Sequence, residues 1–345
     1  MSNIKVLGLI ILSFSCSNNI IDTAFAQSNL RLEIVGEQFA LNGKPTFLLG
    51  VSYFDARNFH DSDFTKLAAL GFNLVRIWLD WEEDHFFDEN GDWRSGADQD
   101  LIRLVEFANS QGLAVDITIL DPNMSFGDKP SIRRKIVEST ARLLKGKSNV
   151  LFDLANEHDH LFYNTTISHN EASLLATVVK DIDGDLIITF SSTSCHLLCG
   201  SDENALDPNN IQSEINAGIE VLTPHFPRSN DWGTKTAERV KTIKNYLTTI
   251  NKQIPLYLQE ENRRKNDSGP DANEFFTSAK QALDAGAAGW IFHTSAGFDL
   301  AEKNFFENLD SVEQSVVDEL SSRIFGSKQT DTIPPAPPKG LRVIL

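Results

Sequence analysis

Eight short apolar runs, each followed by a polar loop and most by an amphipathic helical stretch, set the tightest limit on what this chain can fold into. The runs fall at 47–54, 74–79, 114–120, 150–155, 186–190, 220–225, 256–259 and 288–293. Helical periodicity lies between them at 61–70, 98–111, 131–147, 171–180, 234–251 and 271–285, with a last helix at 305–324. Near-continuous apolar strands alternating with helices predict a parallel sheet covered on both faces. A count of eight, with a helix after the last, predicts an α/β fold closed into a (β/α)8 TIM barrel rather than a doubly wound open sheet. Residues 27–326 are assigned to the barrel, which typically takes about 250 residues. No G-x-G-x-x-G motif follows the first strand and no Walker A sequence occurs, which removes the usual nucleotide-binding sheets. Ahead of the barrel, 30–35 and 38–43 alternate in polarity around Gly36. They predict a β-hairpin that plugs the barrel bottom.

The two ends have a different character. Lys5, the apolar run 6–14 and then Ala24-Phe25-Ala26 follow the order of an export signal, so 1–26 is expected to be removed ahead of Gln27. Cys16 raises a lipid anchor as an alternative, but Ser13 and Phe14 fit a lipobox poorly. No later run is long enough to span a bilayer. The protein is expected to be secreted or periplasmic. Cys195 and Cys199 are then the remaining cysteines, and in an oxidising compartment they are expected to close a small disulfide loop, with two free thiols as the alternative. At 327–345 the chain becomes a Pro-rich linker and tail, semi-rigid and extended. Its last residues, Leu341-Arg-Val-Ile-Leu345, resemble the first strand of a fibronectin type III module.

A formal net charge of −17 with no basic cluster argues against nucleic acid or anionic membrane as a partner. A neutral, solvated substrate suits the chain better. In a TIM barrel the reactive groups lie at the carboxyl ends of the strands. The fourth run ends Asp153-Leu-Ala-Asn156-Glu157 and the seventh ends Gln259-Glu260-Glu261. Each places a carboxylate directly after an apolar run, at separate points of the barrel mouth. Two carboxyls facing across a cleft are what glycoside cleavage needs: one protonates the leaving oxygen, the other attacks the anomeric carbon or activates water. Either one alone reads more simply as a helix cap or a solvated side chain.

With those residues in view, most of 35–325 resembles the clan A glycoside hydrolases, and within them the family 5 cellulases and β-mannanases. Residues 39–54 are similar to the family's opening strand, 70–78 to the second strand with its active-site arginine at Arg76, and 153–157 to the Asn-Glu signature. Residues 255–260, Pro-Leu-Tyr-Leu-Gln-Glu, are similar to the strand carrying the nucleophile, and Gly289-Trp290 to the tryptophan under the sugar site. The resemblance implies a retaining β-glycosidase with Glu157 as acid/base and Glu260 as nucleophile. It implies Asn156 at the sugar 2-hydroxyl and Arg76 beside Glu260, with Trp290 beneath the substrate. The role split requires Glu157 to hold its proton near neutral pH while Glu260 stays ionised. His158 stands where the family carries Pro after Asn-Glu, the third strand lacks the usual His, and Glu261 takes a place normally aromatic or apolar. The sixth run ends His225-Phe-Pro, where family members place a Tyr two residues after the His.

Several residues stay open between two readings. His225 is either a partner of the carboxylates or of the substrate, or a structural histidine. Glu261 rivals Glu260, because strict alternation from Leu256 and Leu258 would turn Glu261 inward. Trp78, Trp81, Trp93 and Trp232 are candidate sugar platforms or ordinary packing. His158 and His160 are read as loop residues lining the cleft, without enough ligands for a metal. No metal or cofactor is expected, and the partner is a polysaccharide or oligosaccharide met by a monomer. Two other readings compete: a carbohydrate-binding barrel without turnover, and a metal-dependent barrel hydrolase.

Overall fold

The computed structural model describes residues 29–81, 85–121, 129–160, 166–193, 207–226, 228, 232–264 and 269–326. The export segment, the cysteine pair Cys195 and Cys199 and the Pro-rich tail lie outside these residues. Three short antiparallel strands come first: β1 (Leu32–Val35), β2 (Gln38–Leu41) and β3 (Lys44–Pro45). Gly36 supplies the left-handed turn of the hairpin, with φ 63°. Seven parallel strands follow: β4 (Leu48–Asp55), β5 (Leu74–Trp78), β6 (Ala114–Thr118), β7 (Val150–Asp153), β8 (Ile187–Thr189), β9 (Tyr257–Leu258) and β10 (Gly289–Phe292). They pair in the order β8-β7-β6-β5-β4-β10-β9.

Segment 220–225 spans the gap between β8 and β9. Glu220 N donates to the Ile188 carbonyl, and His225 N to that of Ser192. On the other side Leu222 N donates to the Pro255 carbonyl, and Tyr257 N to that of Leu222. The sheet is thereby curled into a (β/α)8 TIM barrel. The sixth stave is held by isolated bridges, Ser192 to Pro224 and Leu222 to Leu256, because Pro224 and Pro255 have no N–H for a continuous ladder.

The helices lie outside: α1 (Asp61–Ala69), α2 (Ala97–Gln111), α3 (Pro130–Leu143), α4 (His169–Ile182), α5 (Pro208–Asn216), α6 (Trp232–Thr249), α7 (Ala272–Asp284), α8 (Phe305–Asn308) and α9 (Ser311–Phe325). Their ends follow local chemistry. Ser168 caps α4, and Asp271 with Glu274 forms a reciprocal capping box on α7. The single helix expected at 305–324 is two, because Asn304 with Glu307 and Asp310 with Glu313 each form a capping box. Helix α5 was not foreseen; Asp207 caps it and Pro208 opens it.

Alternation along the strands divides the apolar residues into two cores. Val51, Val75, Val115, Phe152, Leu258 and Phe292 face the helices. Leu48, Leu74, Ala114, Leu151, Val221 and Tyr257 face inward and pack with Leu32 and Phe39, so the hairpin does close the bottom. Gly50 leaves the space that the Ile291 side chain fills; a Cβ there would stand 2.5 Å from its Cδ1. Above this apolar plug the inward positions turn polar.

Candidate active site

Inward-pointing strand residues build the floor. Arg76, from β5, is fully buried. Its Nη2 donates to Asp153 Oδ2 at 2.9 Å and to Asn156 Oδ1 at 3.0 Å. Its Nε donates to Thr118 Oγ1 at 3.1 Å and its Nη1 to Glu260 Oε2 at 3.4 Å. Asp153 also accepts from Ser191 N and Ser191 Oγ. Asp116 accepts from Tyr257 Oη at 3.0 Å and Gln259 Nε2 at 2.7 Å. Burial pushes the Asp116 carboxyl up to about 7 despite Arg76, with Asp153 adding to the rise.

The two carboxylates meet above this floor. Glu157 follows β7 in a left-handed backbone conformation, φ 42°, uncommon for a side chain with a Cβ and a frequent mark of a functional turn. Its N–H is held by Ser191 Oγ at 3.0 Å. Glu260 follows β9. His225 Nδ1 lies 3.2 Å from Glu157 Oε1 and 3.2 Å from Glu260 Oε2, bridging the pair. An oxygen of each carboxylate and the His225 nitrogen all fall within 4.8 Å of one another.

Opposite charge gathers on Glu260. Arg228 Nη2 donates to its Oε1 at 3.0 Å and His293 Nε2 stands 3.1 Å from the same oxygen. Burial alone would raise the Glu260 carboxyl, but His293, His225 and Arg228 outweigh it and hold the group well below the usual range. His293 itself is pushed down to about 3, by burial first and then by Arg228 and Arg263. Its Nε2 also lies 3.3 Å from Arg228 Nη2 and 3.3 Å from Arg263 Nη1, so it shares one polar cluster with Glu260 and both arginines. His225 goes the other way: burial lowers it, and Glu260 and Glu157 more than restore it. Glu157, His225 and Glu260 have the atom types of a cation site. Two arginines already donate to Glu260, so an added metal would meet positive charge there.

Glu261 does not compete for this place. The strand ends at Leu258 and its alternation with it, so Glu260 turns to the mouth and Glu261 passes outward. Thr236 of α6 and Ser278 of α7 donate to Glu261 Oε2 at 3.4 and 3.3 Å. Two arrangements correct the sequence expectations. Trp290 does not floor the site: it is fully buried on the helix-facing side of β10, and its Nε1 donates to Ser278 Oγ of α7 at 3.1 Å. His158 does not line the cleft: it is 1% exposed, packed behind the loop against Phe190 and His169 of α4.

Of the other tryptophans, Trp81 sits by the mouth, whereas Trp78, a candidate sugar platform by sequence, is buried with both ring faces covered and has none to offer a sugar. Trp78 stacks on Phe54 with ring centroids 3.7 Å apart and carries the Arg76 guanidinium 4.3 Å above its ring. Trp81 is half-buried against Phe54 and Phe298, its Nε1 donating to the Phe298 carbonyl. Trp232 is core, packed on Phe275, and Trp93 packs on Phe87.

A family model, cellulase of glycosyl hydrolase family 5, matches residues 33–295. The chain belongs to glycosyl hydrolase family 5. Solved structures of similar fold are the β-mannanase of the blue mussel Mytilus edulis and the endo-1,4-β-mannanase of Rhizomucor miehei. The first has 16% identity and a TM-score of 0.59, over 86% of this chain and 97% of that one. The second has 14% identity and a TM-score of 0.61, over 86% and 99%. A family 5 enzyme from Prevotella bryantii, at 15% identity, gives a TM-score of 0.55 over 81% and 96%. Among curated proteins, none matches this family 5 chain in sequence.

The sequence reading missed Asp116, Asp153, Ser191, Arg228, Gln259 and His293. Most carried a signal: a polar residue at an inward position of an apolar run, as Asp116 is between Val115 and Ile117. Arg228 carried none, since it reaches Glu260 from a loop.

Proposed function

We propose that this family 5 member is an exported retaining β-glycosidase acting on a β-linked polysaccharide or oligosaccharide. Glu260 is the nucleophile and Glu157 the acid/base. The observation that supports this most is the pair of carboxylates bridged by one histidine nitrogen, with oxygens within 4.8 Å. Retaining enzymes hold their carboxyls about 5–5.5 Å apart, and inverting ones roughly 6.5–9.5 Å to admit a water.

The local chemistry assigns the roles. Glu260 is kept ionised by His293, His225 and Arg228, as a nucleophile requires. It attacks the anomeric carbon while Glu157 gives its proton to the departing glycosidic oxygen. Glu157 then takes a proton from water, the water oxygen bonds to the anomeric carbon, and the Glu260 ester breaks. Arg76 can only donate, so its bond fixes the Asn156 oxygen towards itself. The Asn156 amide N–H is thereby left to donate to the sugar 2-hydroxyl. His225, between the carboxylates, has the reach to pass a hydrogen bond from one to the other as charge moves. Trp81, half-buried at the mouth, offers the aromatic surface where a pyranose face would stack.

The test is hydrolysis of a panel of β-glucans and β-mannans followed by proton NMR of the first product. Retention of the anomeric configuration, with loss of at least about 10³-fold in turnover for Glu260→Gln and about 10²–10⁴-fold for Glu157→Gln, is the expected result. Inverted product would refute the roles. Binding of glycans without turnover would favour the sugar-binding barrel.

A further inference from the structure

The residue that replaces the family's proline after Asn-Glu occupies a second, separate cluster. His158 Nδ1 lies 2.8 Å from the Ile167 carbonyl. A carbonyl only accepts, so Nδ1 carries the hydrogen and Nε2 of the neutral ring is a bare lone pair. That Nε2 is buried without a hydrogen-bond partner, 3.7 Å from Glu214 Oε1, too far for a hydrogen bond. Glu214 projects from α5 and is 1% exposed. His169, the first residue of α4, adds another buried Nε2 without a partner. The two rings meet edge to face with centroids 5.0 Å apart. One donor atom from each of the three residues lies within 4.8 Å of the others.

The His158 lone pair and the Glu214 carboxylate face each other and repel unless positive charge sits between them, and His169 Nε2 adds a second lone pair when its hydrogen is on Nδ1. A single proton would serve one nitrogen and leave the other unpaired. A divalent ion would serve all three. We propose that His158, His169 and Glu214 bind a divalent transition-metal ion, zinc by preference, which fastens the segment carrying Glu157 to α4 and α5. Imidazole and carboxylate donors suit zinc, and a His₂Glu set leaves a fourth position for water. The surrounding bonds are those a metal site uses to aim its ligands: the Ile167 carbonyl orients His158, and Asn210 Nδ2 donates to Glu214 Oε1 at 2.9 Å. The ion would act by position, since the ligands pack on Ile167, Phe190 and Asn210, outside the Glu157–His225–Glu260 group.

The experiment uses the full chain stripped by a chelator and titrated with zinc chloride, with metal content measured after gel filtration. The expected result is one zinc per chain, a rise in Tm on zinc addition, and an X-ray absorption spectrum with nitrogen and oxygen donors at about 2.0–2.2 Å, two of them imidazole. His169→Ala and the shape-conserving Glu214→Gln should each weaken zinc binding by at least about 100-fold. Glu157→Gln, which removes a carboxylate from the other His-and-Glu group, should bind zinc as the wild type does. Failure of the wild type to retain zinc would overturn the proposal. So would binding that survives both His169→Ala and Glu214→Gln, or that disappears in Glu157→Gln. A spectrum lacking imidazole donors would refute it even if the variants do not fold.

Discussion

Arg76→Met tests the polar floor of the barrel most directly. Arg76 is a fully buried cation that touches Asp153 at 2.9 Å, Glu260 at 3.4 Å and Asp116 at 3.8 Å. Removing one partner of a buried pair typically costs about 3–5 kcal/mol, because the other charge stays buried without compensation. The three carboxylates do not lose equally. Glu260 keeps Arg228, His225 and His293, and Asp116 sits at about 7, so much of it is protonated at neutral pH. Asp153 keeps only neutral donors, Thr118 and Ser191. The cost therefore falls on Asp153, and Asp153→Asn in the Arg76→Met background should recover more than about 1 kcal/mol. Unfolding entropy near 2.1 cal/mol/K per residue over about 300 folded residues comes to about 0.6 kcal/mol/K, so Arg76→Met should lower Tm by about 5–8 °C. Calorimetry at pH 7 measures both variants. A loss below about 1 kcal/mol, or a double variant no more stable than the single one, would refute the assignment of Arg76 as the counter-charge of the floor.

Three further outcomes follow from the same geometry. Glu261→Gln should leave turnover within about threefold of wild type, since its carboxyl faces α6 and α7; a collapse like that expected for Glu260→Gln would restore Glu261 as nucleophile. Asp116 has a folded-state pKa of about 7 against an ordinary 3.8, so its protonated form stabilises the fold below about pH 4 and this contribution is lost as pH rises through 7. Urea midpoints of Asp116→Asn relative to wild type should therefore improve between pH 5 and pH 8, and an unchanged gap would contradict the shift. Trp290→Ala should cost about 3–5 kcal/mol as a core cavity without altering glycan affinity, whereas Trp81→Ala should raise KM by roughly 3–10-fold; the reverse pattern would return Trp290 to the sugar site.

Periodicity and composition carried the architecture. Each strand's run of apolar residues records burial on both faces, which is a local property, so seven strands and most helices were legible, as was the hairpin beneath them. The sixth stave was legible as an apolar run but not as a bridged segment, since its irregular pairing follows from prolines on two different stretches. The carboxylates at 157 and 260 were readable because strand ends in a barrel share one rim. Which of Glu260 and Glu261 faces that rim was not, because alternation predicts orientation only while a strand continues, and β9 stops two residues earlier. Trp290 was misplaced for a related reason: the family resemblance implied a sugar platform, but its parity on β10 sends it towards α7. Arg228, His293 and the gathering of His158, His169 and Glu214 belong to tertiary structure alone. They come from segments far apart in the chain, and only closure of the barrel brings their charges and lone pairs within reach of one another.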